Sequence, residues 1–417
     1  GDEARGGGVN GSTVVATDSI VENNSTAGRD AHGAGLFANK DVTLTNSTVS
    51  SNSAEEGHAG GVRGANVAVG QTTITSNYAH RQGGGIYARS SEIKDSSVIN
   101  NHSAFGGGGL AGDTARIIDF LFMNNEVSRT SEINWMLGGG AVRVSSVYSL
   151  GSKFEQNKVL YLAQVYENYK SQGGAIQARE ARIKSSIFID NQNLSNGGGA
   201  IHADTAHISD SRFEKNIGMG WGGAIDTESV VLENSAVSGN ELGYLGAFVG
   251  GWGGAPQGGG IRTKTILAEN IFVGGNTGGF GGGVRAQHGE IRNSSIVDNI
   301  AQQSGGGLAV AFNGDLSLQS VTITGNQSPI GSAADVTAQS ELSAINTIIA
   351  GNMPRGETEH EQLHLHSASS KISSVVGSLI RTDARHIFRD VTEISAERYA
   401  GVPADNGGPT PTVALLP

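Results

Sequence analysis

The sequence predicts an all-β fold, a right-handed parallel β-helix of about 13 coils, and three observations predict it. A Gly-rich run followed by an apolar residue recurs from Val9, Leu36, Val62, Ile86 and Leu110 through Ile225, Ile261, Val284 and Leu308 to Val336, most often about 24 residues apart. A second series, an apolar residue three positions before an Asn, runs in step with it from Asn23, Asn52, Asn77 and Asn101 to Asn326 and Asn352. Between these anchors the chain alternates apolar and polar with period two, as in Ile86-Tyr87-Ala88-Arg89 and Ile225-Asp226-Thr227-Glu228, and helical periodicity is nearly absent.

A repeat of that size holds about three short strands and cannot bury its own inner face, so coils must stack, each adding roughly 4.8 Å. Thirteen coils then make a rod of about 60 Å. The glycines allow positive φ and close approach between coils. An Asn at one corner of every coil can adopt left-handed geometry and pass amide hydrogen bonds up the stack, so the Asn-x-Ser/Thr matches at Asn24, Asn46, Asn101 and Asn326 carry no glycosylation claim.

Composition agrees. With 64 Gly, 7 Pro, no Cys, 6% aromatic and 16% charged residues, a core must come from many small aliphatic side chains, and thiol chemistry is excluded. The formal charge of −11 has no basic stripe, which argues against nucleic acid and against an anionic membrane as partner. No spanning segment or signal peptide is present, and because the first residues already read as repeat, the chain is expected to be a fragment whose targeting ends were removed.

The segments "FEQN", "FIDNQNLSNGGGAI" and "FEKNIGMGWGGAI" resemble the FxxN and GGA-I/L/V repeats of polymorphic outer-membrane protein passengers, bacterial β-helical surface adhesins. The C-terminal "DNGGPTPTVALLP" is similar to the characteristic segment of choice-of-anchor Q proteins, bacterial surface proteins whose β-helix precedes an anchoring region. Together they imply an extracellular or cell-surface bacterial protein, and neither supplies catalytic residues.

Coils are expected over residues 1–352, with a final coil or coils and an anchor-proximal C-terminal cap over 353–417. Departures from the repeat mark additions to the scaffold. The gap from an Asn anchor to the next apolar anchor is usually 8 to 10 residues, but it is 17 from Asn125 to Val142, 19 from Asn157 to Ile176 and 21 from Asn240 to Ile261. The corresponding insertions, 126–138, 158–172 and 241–257, occupy the same corner and are expected on one side of the rod. They hold Trp135, Tyr166, Tyr244 and Trp252, with Trp221 beside them, and aromatic faces with polar rims suit sugar rings. The same aromatics would serve an insertion that simply folds onto the rod.

Residues one and three positions after each apolar anchor point outward and form the expected floor: Arg143, Gln177 and Arg179, then His202, Asp204, Asp226 and Glu228, then Arg262, Lys264 and Arg285. Stacking would set Asp204 and Glu228 about 5 Å apart and Asp204 and Asp226 about 8 Å apart, near the two separations used in glycoside hydrolysis. His202 beside Asp226 could instead act as base in uronate elimination, with Arg179 or Arg262 neutralising the acid. The same charges could equally close into cross-coil ion pairs on a solvated face.

The expected function is therefore polysaccharide or cell-surface glycan binding, with cleavage by hydrolysis or elimination, and the alternative is a non-enzymatic adhesin or stalk. A monomer without cofactor is expected. His360-Glu361-Gln362-Leu363-His364 matches a zinc-protease motif, but "QLHLHSASS" alternates like a strand where a helix is required. No metal is assigned, and Asp405 and Asn406 could bind Ca²⁺ but are accounted for by turn chemistry.

Overall fold

The computed structural model describes residues 5–28, 32–129, 138–161, 172–243, 256–355, 362–367, 369–381, 384–395 and 398–416. Strands, turns and bends account for these residues, and none of them is helical. The chain divides into two compact units, Gly1–Asp204 and Thr205–Pro417, and each is a parallel β-solenoid. Among the described residues the turns supply strands to three parallel sheets, a long-strand sheet, then a second and a third sheet of two- to five-residue strands, the last turn reaching only the first two. Among the described residues the first unit has seven strands in each of its second and third sheets, and the second unit has seven and six.

One turn shows why the sequence folds this way. In the strand Ile86–Lys94 the inward residues Ile86, Ala88, Ser91 and Ile93 are buried, and their neighbours point away. Val98 is the inward residue of Ser97–Ile99, and Ser103 that of His102–Ser103. The glycine run before Ile86 makes the tight return. Gly83 has φ +68°, and a Cβ on Gly84 would sit 2.4 Å from the carbonyl oxygens of both Gly108 and His102, so no side chain fits.

Register confirms the apolar anchors. Val9, Leu36, Val62, Ile86, Leu110, Val142 and Ile176 align in the first unit. In the second unit Ile225, Ile261, Val284 and Leu308 align with Ala334 and then Leu363. The anchor expected at Val336 is thus Ala334, two residues earlier, because Ala-Ala replaces the usual glycine and branched residue there.

The Asn ladder is present and starts at Asn24 rather than Asn23. Each ladder amide donates to the Oδ1 of the next Asn at 2.8–3.1 Å, from Asn24 to Asn191 in one unit and from Asn216 to Asn352 in the other. The left-handed residue is the one before the ladder Asn, as at Asn23, Ser76 and Asn100 with φ of 56° each. Buried Asn side chains therefore satisfy the corner's backbone groups while their neighbours turn the chain. Alongside, Phe122, Phe154 and Phe188 stack with ring centroids 5.2 and 4.6 Å apart.

In the second unit, parallel strands continue through Leu379–Arg381, after which the chain folds back. Ala384, Phe388 and Val413 pack against Val297 and Ala350 on the outer face of the second sheet. There the Gly401 N–H donates to Thr324 Oγ1 at 3.0 Å. The antiparallel pair Pro403–Ala404 and Thr412–Val413 closes on a turn in which Asp405 accepts the Gly407 N–H at 2.9 Å and Asn406 donates to the Thr412 carbonyl at 2.9 Å.

Candidate functional site

The two outward positions after each anchor differ in environment. Residues three after the anchor face solvent: Arg179 and Asp204 are exposed, and Glu228 and Lys264 are about half exposed. Residues one after the anchor form a covered column, because each lies against the residue four before the anchor of the preceding coil, as Arg262 does on Trp221, Arg143 on Gly106 and Gln177 on Gly138. In the second unit those flanking residues, Trp221, Gln257 and Phe280, are themselves bridged from coil to coil.

In the second unit the covered column reads Asp226, Arg262, Arg285, Ala309, Asp335 and His364 in continuous register. Asp226 is fully buried, and its Oδ1 accepts from Arg262 at 3.1 Å. The Arg262 guanidinium lies 4.9 Å from the Trp221 ring centre and 3.8 Å from Glu228, whose other oxygen meets Lys264 Nζ. Arg285 stacks over Phe280 at 5.5 Å. Burial, then the like charge of Arg262, pulls the Arg285 guanidinium down to about 10, and Asp335 pulls the other way.

In the first unit the same column carries Phe37, Arg63, Tyr87, Ala111, Arg143 and Gln177. Arg143 runs across Gly106, where a Cβ would lie 2.5 Å from its Cδ, and burial lowers its pKa. Gln177 crosses Gly138 and accepts the Gly173 N–H at 3.1 Å. Arg63 lies 5.6 Å from the rings of both Phe37 and Tyr87, and the His58 ring is 4.6 Å from Tyr87. Burial, with His32, Arg63 and Arg81 adding to it, pushes His58 down to about 3. This aromatic and cationic cluster was not anticipated. Its signal in the sequence is the step from Phe37 to Arg63 to Tyr87 at one repeat position.

Of the expected site residues, Asp226, Glu228, Arg262, Lys264 and Trp221 come together, with Arg285 in the next coil, and Arg143 and Gln177 are neighbours in the first unit. Half-buried His202 and exposed Asp204 end the first unit, so their expected separations from Asp226 and Glu228 lie outside what either unit defines by itself. Trp135, Tyr166, Tyr244 and Trp252 lie outside the described residues. The strands that lead into their segments, Glu126–Arg129, Lys158–Tyr161 and Glu241–Gly243, all belong to the third sheet.

Chemically, the second-unit cluster is a charge-compensated one. Two-carboxylate hydrolysis needs one acid and one base free to meet substrate, whereas Asp226 is spent on Arg262 and Glu228 on Lys264 and Arg262. A separate open concavity of about 540 Å³ in the first unit runs along the outward second-sheet residues Thr73, Ser97, Leu121 and Lys153. His360 and Glu361 of the zinc-protease match lie outside the described residues. Gln362 ends the Asn ladder, accepting from Asn352 at 3.0 Å, and Leu363–Leu365 is a parallel strand.

No helix among the described residues is long and apolar enough to cross a membrane. No curated protein and no solved structure matches the chain. A family model, the Chlamydia polymorphic membrane protein (Chlamydia_PMP) repeat, matches residues 71–89. That stretch is the second-sheet strand Thr73–Thr75, ladder residue Asn77, the third-sheet strand Tyr78–Ala79, the turn at Gly83–Gly85 and anchor Ile86, so the chain is similar to that repeat in the residues that build one coil.

Proposed function

We propose that this chain is a surface-displayed bacterial adhesion module, a β-helix that presents glycan-contacting segments without cleaving the glycan. The observation that carries the choice of binding over cleavage is the closure of Asp226, fully buried, onto Arg262 at 3.1 Å, with Glu228 held by Lys264. Asp226, fully buried, has no surface to offer a substrate, and half-exposed Glu228 is engaged by Lys264 and Arg262. Likeness of residues 71–89 to the polymorphic membrane protein repeat supports placement at a bacterial surface. Trp135, Tyr166, Tyr244 and Trp252, in segments that depart from the third sheet, supply flat faces for sugar rings.

The test uses the purified full chain and one in which 130–137, 162–171 and 244–255 are replaced by short Gly-Ser links. Both are applied to immobilised neutral and uronate-rich polysaccharides and to cell surfaces. Saturable binding by the first and at least a tenfold loss in the second supports the proposal. Equal binding by both places recognition on the coils and refutes it. Release of reducing ends or unsaturated product, lost on Asp204→Asn, would establish cleavage instead.

A further inference from the structure

The covered column ends in a cluster that the adhesion reading does not use. Asp335 sits between Ala309 and His364 in register and is fully buried. Its Oδ2 accepts from Ser304 Oγ at 2.5 Å and lies 3.2 Å from His366 Nε2, while its Oδ1 is buried with no hydrogen-bond partner. A fully buried carboxylate whose neighbours leave one oxygen unpartnered carries a charge that a cation at its other oxygen would compensate. Arg285, two coils earlier in the same column, acts on Asp335 through charge, without a hydrogen bond to it.

His364 and His366 complete the group. Their rings are 5.1 Å apart and nearly perpendicular, and one ligand atom from each of the three residues lies within 4.8 Å of the others. Gly331, with φ +56°, makes room: a Cβ there would lie 3.0 Å from His364 Cβ. Tetrahedral zinc with bonds near 2.0–2.1 Å spaces its ligand atoms about 3.3 Å apart. The Asp335–His366 pair already has that spacing at 3.2 Å, and the His364 ligand atom stands within 4.8 Å of both. His366 is 41% exposed, which leaves a solvent approach for the ion and a water ligand. Two imidazoles and one carboxylate suit zinc and its transition-metal neighbours rather than Ca²⁺ or Mg²⁺, which take oxygen ligands.

We propose that Asp335, His364 and His366 bind one divalent transition-metal ion, with Ser304 orienting the carboxylate, and that the ion pins the strand Leu363–Leu365 to the coil before it. The signal in the sequence was the His-x-His at 364–366, hidden because Ala334 does not look like an anchor and so Asp335 was not aligned with it.

The tag-free full chain, stripped with chelator, is titrated with Zn²⁺ by calorimetry and its melting followed in parallel. One equivalent binding saturably, with a raised melting temperature, is expected. His364→Gln and His366→Gln should each weaken binding at least tenfold, while His207→Gln, at an exposed histidine elsewhere, should leave it unchanged. Asp335→Asn should also abolish binding, and the His366 variant keeps the test sound if that chain misfolds. Absence of saturable binding, or binding that survives both histidine substitutions, overturns the proposal.

Discussion

Substituting Arg262 by Met tests whether the charged column is structural. The methionine keeps much of the aliphatic bulk over Trp221 and removes the charge. Asp226, fully buried, then loses the guanidinium bonded to it at 3.1 Å. Breaking a buried pair by deleting one partner costs about 3–5 kcal/mol, because the charge left behind loses its counter-ion. The guanidinium's place over Trp221, 4.9 Å away, adds about 0.5–1 kcal/mol. Glu228, 3.8 Å away and half exposed, adds less than about 1 kcal/mol. The expected loss is about 4–6 kcal/mol, read as a lower denaturant midpoint by circular dichroism. Asp226→Asn combined with Arg262→Met should recover more than about 2 kcal/mol of it, since neither charge is then buried alone. A loss below about 1 kcal/mol for Arg262→Met, or a gain in stability from Asp226→Asn alone, would refute the structural reading and return Asp226 to candidacy as a functional acid.

Three further outcomes are expected. Asn101→Ala leaves the Asn77 N–H and the Ile74 and Ile99 carbonyls without their side-chain partner and should cost at least about 3 kcal/mol by chemical denaturation; a cost under about 1 kcal/mol would mean that the ladder is dispensable. Phe154→Ala, in the stack between Phe122 and Phe188, should cost about 3–5 kcal/mol in the same measurement. For His58 the folded-state pKa, about 3, lies below the unfolded value of 6.5, so its contribution to stability is present above pH 6.5 and is lost as the pH falls from 6.5 toward 3. At pH 5 the loss is about 2 kcal/mol, and His58→Gln should flatten that part of the stability profile; an unchanged slope would show that His58 takes up its proton in the folded chain.

The sequence by itself determined the repeat, because a parallel solenoid writes its geometry locally. Ile86, Asn101 and Gly84 each recur where a side chain must be inward, where an amide must span two coils, or where no side chain fits. Alternation likewise identified Leu363–Leu365 as strand and dismissed the zinc-protease helix. Only the tertiary structure decided which outward residues are open and which are covered. Asp226 and Asp204 read alike in sequence, yet one is sealed under Arg262 beside Trp221 and the other faces solvent. That difference follows the place after the anchor, one residue for Asp226 and three for Asp204, and the covering contact, Arg262 of the following coil over Trp221, joins two coils and is written in neither repeat alone. The same physics hid Asp335, His364 and His366: they are 29 and 31 residues apart along the chain, and only stacking, with Ala334 in the anchor position, brings their ligand atoms within 4.8 Å.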